Sequence, residues 1–309
     1  MPRRTVQLDA QLDLRVVLGL LIRGRADPTG RLSSLAAVRA SRTPDGPATL
    51  LIERHDTRVE AEAWGPGADR VLDGLPALLG LLDDPAGFDP SPHPRLADLA
   101  RRRPGLRLGW TSAVFEALLP AILEQKVTGG QAATAFRGLS RRYGEPAPGP
   151  LAAAQELRLQ PAPEVLAALP YFAFHPFGVE QRRAEAIRRV ALDVRRLEAL
   201  AALPGTRIEI GAAATAALRR YPGVGAWTAA EVTLRALGDP DAVSVGDFHL
   251  PNLVAFALAG EPRGTDDRML ELLEPFRGHR ARAIRLLELS GIAAPRYGPR
   301  FAPRDVRHI

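Results

Sequence analysis

The chain has no cysteine in 309 residues, which excludes disulfides, thiolate zinc sites and iron–sulfur clusters. Only 6% of its residues are aromatic, so any local crowding of rings stands out. Its longest apolar runs, 16–22 and 75–82, fall well short of the roughly 20 residues that a membrane-spanning helix needs. The opening residues, MPRRTVQLDAQ, lack the apolar stretch of a secretory signal. These absences lead us to expect a soluble, cytoplasmic chain with no membrane partner. Lysine is almost missing too: Lys126 is the only one, and arginine carries the rest of the positive charge. There is no internal repeat, heptad array or long low-complexity tract.

What is present bounds the answer further. A hydrophobic content of 46% supports a sizeable core, and the length suits two domains. The net charge of +6 suits a polyanion such as nucleic acid, although an arginine-rich coding bias would raise it as well. Residues 4–64 read as strand-rich. RTVQLDA and TRVEAEAW alternate in polarity, and SLAAVRASR and ATLLIER flank TPDGP, a hairpin turn sequence. Apolar helical segments lie at 13–24 and 68–82. The expected unit is a small antiparallel sheet with two helices on one face. The proline-rich run 83–94 reads as a linker.

From residue 94 the pattern turns helical. The spacing predicts helices over 94–102, 112–125, 129–143, 180–203, 212–221, 226–237, 250–259, 266–273 and 279–289, separated by EPAPGP, LPYFAFHPFG and LPG. The fold class is therefore α+β. A small N-terminal mixed α/β domain with its linker (1–90) precedes a mainly α-helical, two-lobed domain (91–292) and a Pro/Arg-rich tail (293–309).

The most informative stretch is LRRYPGVGAWTAAEVTLRALGDPDAVSVGD, 218–247. It reads as helix, tight glycine turn, helix, short apolar strand and one carboxylate. A Pro222-Gly223-Val224-Gly225 turn leaves backbone N–H groups unpaired at the start of the second helix, which suits a phosphate. A carboxylate nearby, Asp247, would repel that phosphate, so passive binding is a poor explanation for it. It makes sense facing a positive charge that develops on a sugar.

This hairpin with Trp227 and Thr228, followed by Val245-Gly246-Asp247-Phe248-His249, resembles the helix-hairpin-helix, Gly/Pro-rich loop, Asp superfamily of DNA glycosylases. The 3-methyladenine DNA glycosylase II group resembles it most. The block LLPAILEQKVTGGQAATAFRGLSRRYG, 118–144, matches as well. The resemblance implies a helix-hairpin-helix glycosylase domain that hydrolyses an N-glycosidic bond in damaged double-stranded DNA, acting as a monomer. It implies no cofactor, apart from a structural monovalent cation at the hairpin carbonyls. By the same likeness, Asp247 matches the catalytic acid and Gly223, Val224, Gly225 and Thr228 the strand-gripping hairpin. Trp227 stands where the bifunctional branches carry a Schiff-base lysine, so a water nucleophile and a monofunctional enzyme follow.

Other residues carry two readings. Asp247 also suits the N-cap of the following helix, a compatible role. Trp227 either flanks the extruded base or packs between helices. Gln125 and Lys126 lie on the loop where related enzymes fill the gap left by that base, or on a plain surface loop with one phosphate-contacting lysine. Tyr171, Phe172, Phe174 and Phe177 crowd one connecting segment; they plug a helical interface, with one or two rings reaching the pocket. Glu231 borders the pocket or faces solvent, and His249 orients the loop or contacts a phosphate. Arg182, Arg183, Arg188 and Arg189 read as a solvated face.

Two rival functions stay open at this level. One is a glycosylase for a deaminated or oxidised purine. The other is a non-catalytic helix-hairpin-helix DNA-binding protein, which would have no need of Asp247.

Overall fold

A computed structural model of the protein describes residues 2–8 and 12–295. Five strands, β1 (Arg3–Gln7), β2 (Gly30–Leu32), β3 (Ala36–Thr43), β4 (Gly46–His55) and β5 (Arg58–Trp64), form one antiparallel sheet in the order β1-β5-β4-β3-β2. The period-2 pattern decides its faces: Val59, Ala61 and Ala63 are buried, while Arg58, Glu60 and Glu62 point away. The TPDGP turn closes β3 onto β4 with Thr43 opposite Gly46, as the sequence predicts.

One face of the sheet carries Leu50, Ile52 and Val59 against α1 (Leu14–Leu18), α2 (Ala68–Asp73) and α3 (Leu75–Leu78). The opposite face is not open. Val38 and Ala40 pack against Ala147, Ala152, Leu157 and Leu159 from the helical part of the chain. The EPAPGP separator and the residues after it thus cover the sheet, closed on themselves by a Pro146–Arg158 bridge and tied down by Arg158 N–H donating to the Pro28 carbonyl at 2.8 Å. The 83–94 linker is tied down as well. Buried Asp83 pairs with buried Arg282 at 2.6 Å and accepts from Leu108 N–H at 2.9 Å.

The helices continue as α4 (Pro94–Arg102), α5 (Val114–Leu123), α6 (Gly129–Tyr143), α7 (Pro150–Ala154), α8 (Pro163–Ala168), α9 (Gln181–Leu192), α10 (Val194–Glu198), α11 (Arg207–Leu218), α12 (Ala226–Val232), α13 (Leu250–Ala259), α14 (Asp266–Leu273) and α15 (Arg280–Glu288). They sort into two cores. One joins α5, α6 and α8 to α12, with Phe136, Phe174, Ile187 and Val232 inside. The other joins α4 to α13, α14 and α15 around Leu96, Val254, Met269 and Leu287. Residues 239–249 run between them.

Three helices differ from expectation for identifiable reasons. The 180–203 helix breaks at Asp193 (φ −111°, ψ 24°), whose carboxylate accepts from the Tyr221 hydroxyl at 2.5 Å. The 212–221 helix starts earlier, at Arg207, because Thr206 and Glu209 form a reciprocal capping box. The 112–125 helix starts late, at Val114, and its first N–H groups are capped from elsewhere. Glu198 accepts from Val114 at 3.0 Å and Phe115 at 2.8 Å. The apolar segment before Asp247 is not a strand: among the described residues no strand pairs with it, and Val243 and Val245 instead pack their side chains on the second core. Most of the predicted tail, 296–309, lies outside the described residues. Among the described residues no helix is long and apolar enough to cross a membrane.

Candidate active site

The hairpin between α11 and α12 is fixed by packing before anything binds it. Gly223 has φ +97°, and a Cβ there would meet the Ala186 Cβ at 2.7 Å, so both backbone and space require glycine. Val224 is buried in the first core, and its N–H donates to the Tyr221 carbonyl at 2.9 Å. Pro222 and Gly225 stay exposed, flanked by exposed Arg219 and Arg220. Those two arginines belong to the surface around the turn, and sequence reasoning passed over them.

Gln125 and Lys126 follow the end of α5 and part company. The Gln125 amide donates to the Gly223 carbonyl and to the Thr228 hydroxyl, each at 2.8 Å. It braces the hairpin and does not project from the loop. Thr228 is buried under it, so its side chain does not face a nucleic acid. Lys126 is exposed and held at φ +54°, a costly conformation for a non-glycine residue. The carbonyl of Tyr221 accepts from Val224 N–H and that of Gly223 from the Gln125 amide, one hydrogen bond each.

Asp247 sits at the start of α13 with both oxygens committed. Oδ1 accepts from the backbone N–H groups of His249 at 2.7 Å and Leu250 at 2.8 Å, tying the carboxylate to the first turn of α13, although His249 and not Asp247 takes the N-cap position. Oδ2 accepts from the indole Nε1 of Trp227 at 3.0 Å. The residue is half-buried, so the fixed carboxylate still has an open side. Gly246, at φ +93°, turns the chain into this position, and its N–H donates to Asp266 at 3.0 Å. Trp227 is partly buried against the first core while donating to the carboxylate, which makes it a bridge between the two lobes.

Other expected site residues fall elsewhere. Glu231 does not open onto a pocket: it pairs with Arg235 and accepts from the Ser244 hydroxyl. Phe174 is 0% exposed in the first core and cannot stack on a base. Tyr171 and Phe172 are on the surface, 37% and 60% exposed, on a 3-10 turn that packs on α6 and α9. His249 is exposed, its ring edge-on to Phe248 at 4.9 Å. Arg183 is no solvated residue. It is buried, and donates to Glu180 at 2.6 Å, to the Leu123 carbonyl at 2.7 Å and to the Gly178 carbonyl at 3.0 Å, locking the end of α5.

Phe248 is a further residue to which the sequence reading gave no role. It is 78% exposed immediately after Asp247, the most exposed of the large apolar side chains among the described residues. Its place directly after the acid was the only signal available.

No protein-family model and no curated protein matches the chain. Solved structures do. A 3-methyladenine DNA-glycosylase from Archaeoglobus fulgidus superposes with a TM-score of 0.75 at 19% identity, covering 94% of this chain and 98% of that one. The 8-oxoguanine glycosylase/lyase of Clostridium acetobutylicum in its apo-form gives 0.68 at 14% identity over 93% and 96%. The same enzyme in complex with double-stranded DNA gives 0.65 at 14% identity, covering 89% and 90%. These structural neighbours are glycosylases by their names, and it is their fold, over nearly the whole of each chain, that this chain adopts.

Proposed function

We propose that the chain is a monofunctional DNA glycosylase of base excision repair that flips an alkylated purine such as 3-methyladenine out of duplex DNA and leaves an abasic site. The observation that carries this reading is the fixed carboxylate of Asp247, half-open and hydrogen-bonded to Trp227 where a lyase would need an amine. Cleavage of the C1′–N bond sends its electron pair to the base and leaves positive charge on the sugar. A carboxylate already held in place stabilises that charge without reorganising. Water then bonds to C1′ and gives up a proton. An alkylated purine carries positive charge before cleavage, so it departs as a neutral base.

The remaining residues support DNA handling. Extruding a base costs about a few kcal/mol and leaves a gap in the stack. Lys126 is the side chain presented on the loop next to the hairpin, where its stem can enter that gap and its ammonium a phosphate. Exposed Arg219 and Arg220 beside Gly223 and Gly225 face the strand held by the turn. Phe248 offers a ring to the extruded nucleotide beside Asp247, and Tyr171 and Phe172 are free to touch DNA only at a margin. Such an enzyme acts as a monomer on double-stranded DNA, in the cytoplasm.

The test is incubation with methylated duplex DNA, before and after alkali. Base release with strand breaks only after alkali is expected, and Asp247→Asn should abolish release while keeping DNA affinity. Breaks without alkali would point to a lyase. Binding with no release by the unaltered protein would point to a passive DNA-binding module. A panel of single-lesion duplexes, including 8-oxoguanine, sets the substrate.

A further inference from the structure

Trp227, Glu231 and Arg235 recur every four residues, so the helix running from α12 into its π turn carries all three on one face. Trp227 holds Asp247 directly. Glu231 accepts from the hydroxyl of Ser244, three residues before Asp247, whose own N–H donates to the Ser244 carbonyl at 3.1 Å. Arg235 pairs with the same Glu231 carboxylate, and its Nε donates to the carbonyl of Leu20, in the N-terminal domain, at 3.1 Å. The two side chains are only 14% and 16% exposed, so the pair is shielded from water and its geometry is confined.

The loop these contacts grip is also held on either side of Ser244, where Asp241 pairs with Arg280 at 2.5 Å and Gly246 N–H donates to Asp266 at 3.0 Å. Among the described residues no strand pairs with 239–249, and Gly246 adds a left-handed turn directly before the acid. We propose that Glu231, held by Arg235 and through it by the N-terminal domain, is a positioning residue that sets Asp247 by gripping Ser244. The proposal rests on the reading of Asp247 as the group facing the sugar. It gives the N-terminal domain a part in the chemistry, as the far anchor of the strut.

Ser244→Ala is the informative variant, because it removes one hydroxyl and leaves no buried charge unpaired. Three quantities are measured: single-turnover excision from a duplex holding one alkylated purine, affinity for a duplex holding an abasic analogue, and the Trp227 indole ¹H–¹⁵N signal, assigned with Trp227→Phe. A displacement of the acid by about 1 Å costs on the order of 100-fold in rate. We expect excision to slow by about 10- to 100-fold, affinity and melting temperature to hold, and the indole signal to move as its hydrogen bond to Asp247 loosens. Glu231→Gln keeps an acceptor for Ser244 but sets its amide NH2 against Arg235 where Oε2 stood, so it slows excision too, and Glu231→Ala, which loses both contacts, slows it more. An unchanged rate, an unmoved indole signal, or a rate loss that tracks lost DNA affinity each overturn the proposal. Asp247→Asn is run alongside. If that variant excises normally, the reading of Asp247 fails whatever Ser244 does. If it is inactive while Ser244→Ala behaves as wild type, only the strut fails.

Discussion

Trp227 and Asp247, twenty residues apart in the chain, are joined by an indole N–H to carboxylate hydrogen bond of 3.0 Å that crosses from one helical core to the loop leading into the other. Hydrogen bonds to charged groups contribute about 1.5–3 kcal/mol. Trp227→Phe should therefore slow excision by about tenfold or more while leaving DNA affinity nearly unchanged. Single-turnover kinetics beside a binding isotherm measure this. A fall in affinity equal to the fall in rate would assign Trp227 to base stacking instead.

Phe248→Ala separates function from folding. A side chain that is 78% exposed contributes little to the core, so the melting temperature should stay within a degree or two of wild type, as surface changes of within about 0.5 kcal/mol imply. Excision of the lesion should fall severalfold if the ring meets the extruded nucleotide. Wild-type kinetics would remove Phe248 from the site.

Gln125 and Lys126 are neighbours with different work, and salt dependence tells them apart. Lys126→Ala should weaken DNA binding at low salt and reduce the slope of log affinity against log salt by about one, the signature of one lost phosphate contact. Gln125→Ala frees the Gly223 carbonyl and leaves the Thr228 hydroxyl without its donor, so it should lower thermal stability and loosen the hairpin with little change in that slope. Melting curves and a salt titration on both variants check the pair.

Asp239 gives a pH dependence of stability. Burial pushes its carboxyl up to about 6 from an ordinary value of 3.8, against the opposing hydrogen bonds from Asp241 N–H and the Thr233 hydroxyl. The folded state therefore holds this proton more tightly than the unfolded chain. Its contribution is fully present below pH about 4 and is lost as pH rises through about 6, a change of at most about 3 kcal/mol. Asp239→Asn should flatten that part of the urea-denaturation stability profile between pH 4 and 7. An unchanged slope in the variant would show that other groups set it.

Much of the site was legible in the chain because its parts are local. The PGVG turn demands glycine at φ +97° within four residues, and the Asp247 carboxylate accepts from the first N–H of the helix that begins three residues later. The alternation in RVEAEAW likewise announces its own buried face. What escaped depends on distance. Nothing around Phe174 distinguishes a core ring from a pocket ring, since both are apolar side chains on a connecting segment. Arg183 sits in a run of arginines that looks solvated, and only the arrival of the Leu123 carbonyl makes it a clamp. Glu231 reads as a surface acid until Arg235 and Ser244 close on it.

By itself the sequence determined that a sheet unit precedes a helical one, the hairpin, the carboxylate and the absence of any amine at position 227. These are properties of residue type and short spacing, which backbone sterics and periodicity translate directly into local structure. Tertiary structure alone decided which groups meet: the indole on Asp247, the amide of Gln125 on the hairpin, the cover of 147–159 on the sheet. Hydrogen bonds and burial depend on what lies within about 3 Å in space, and a partner a hundred residues away leaves no mark on the local pattern.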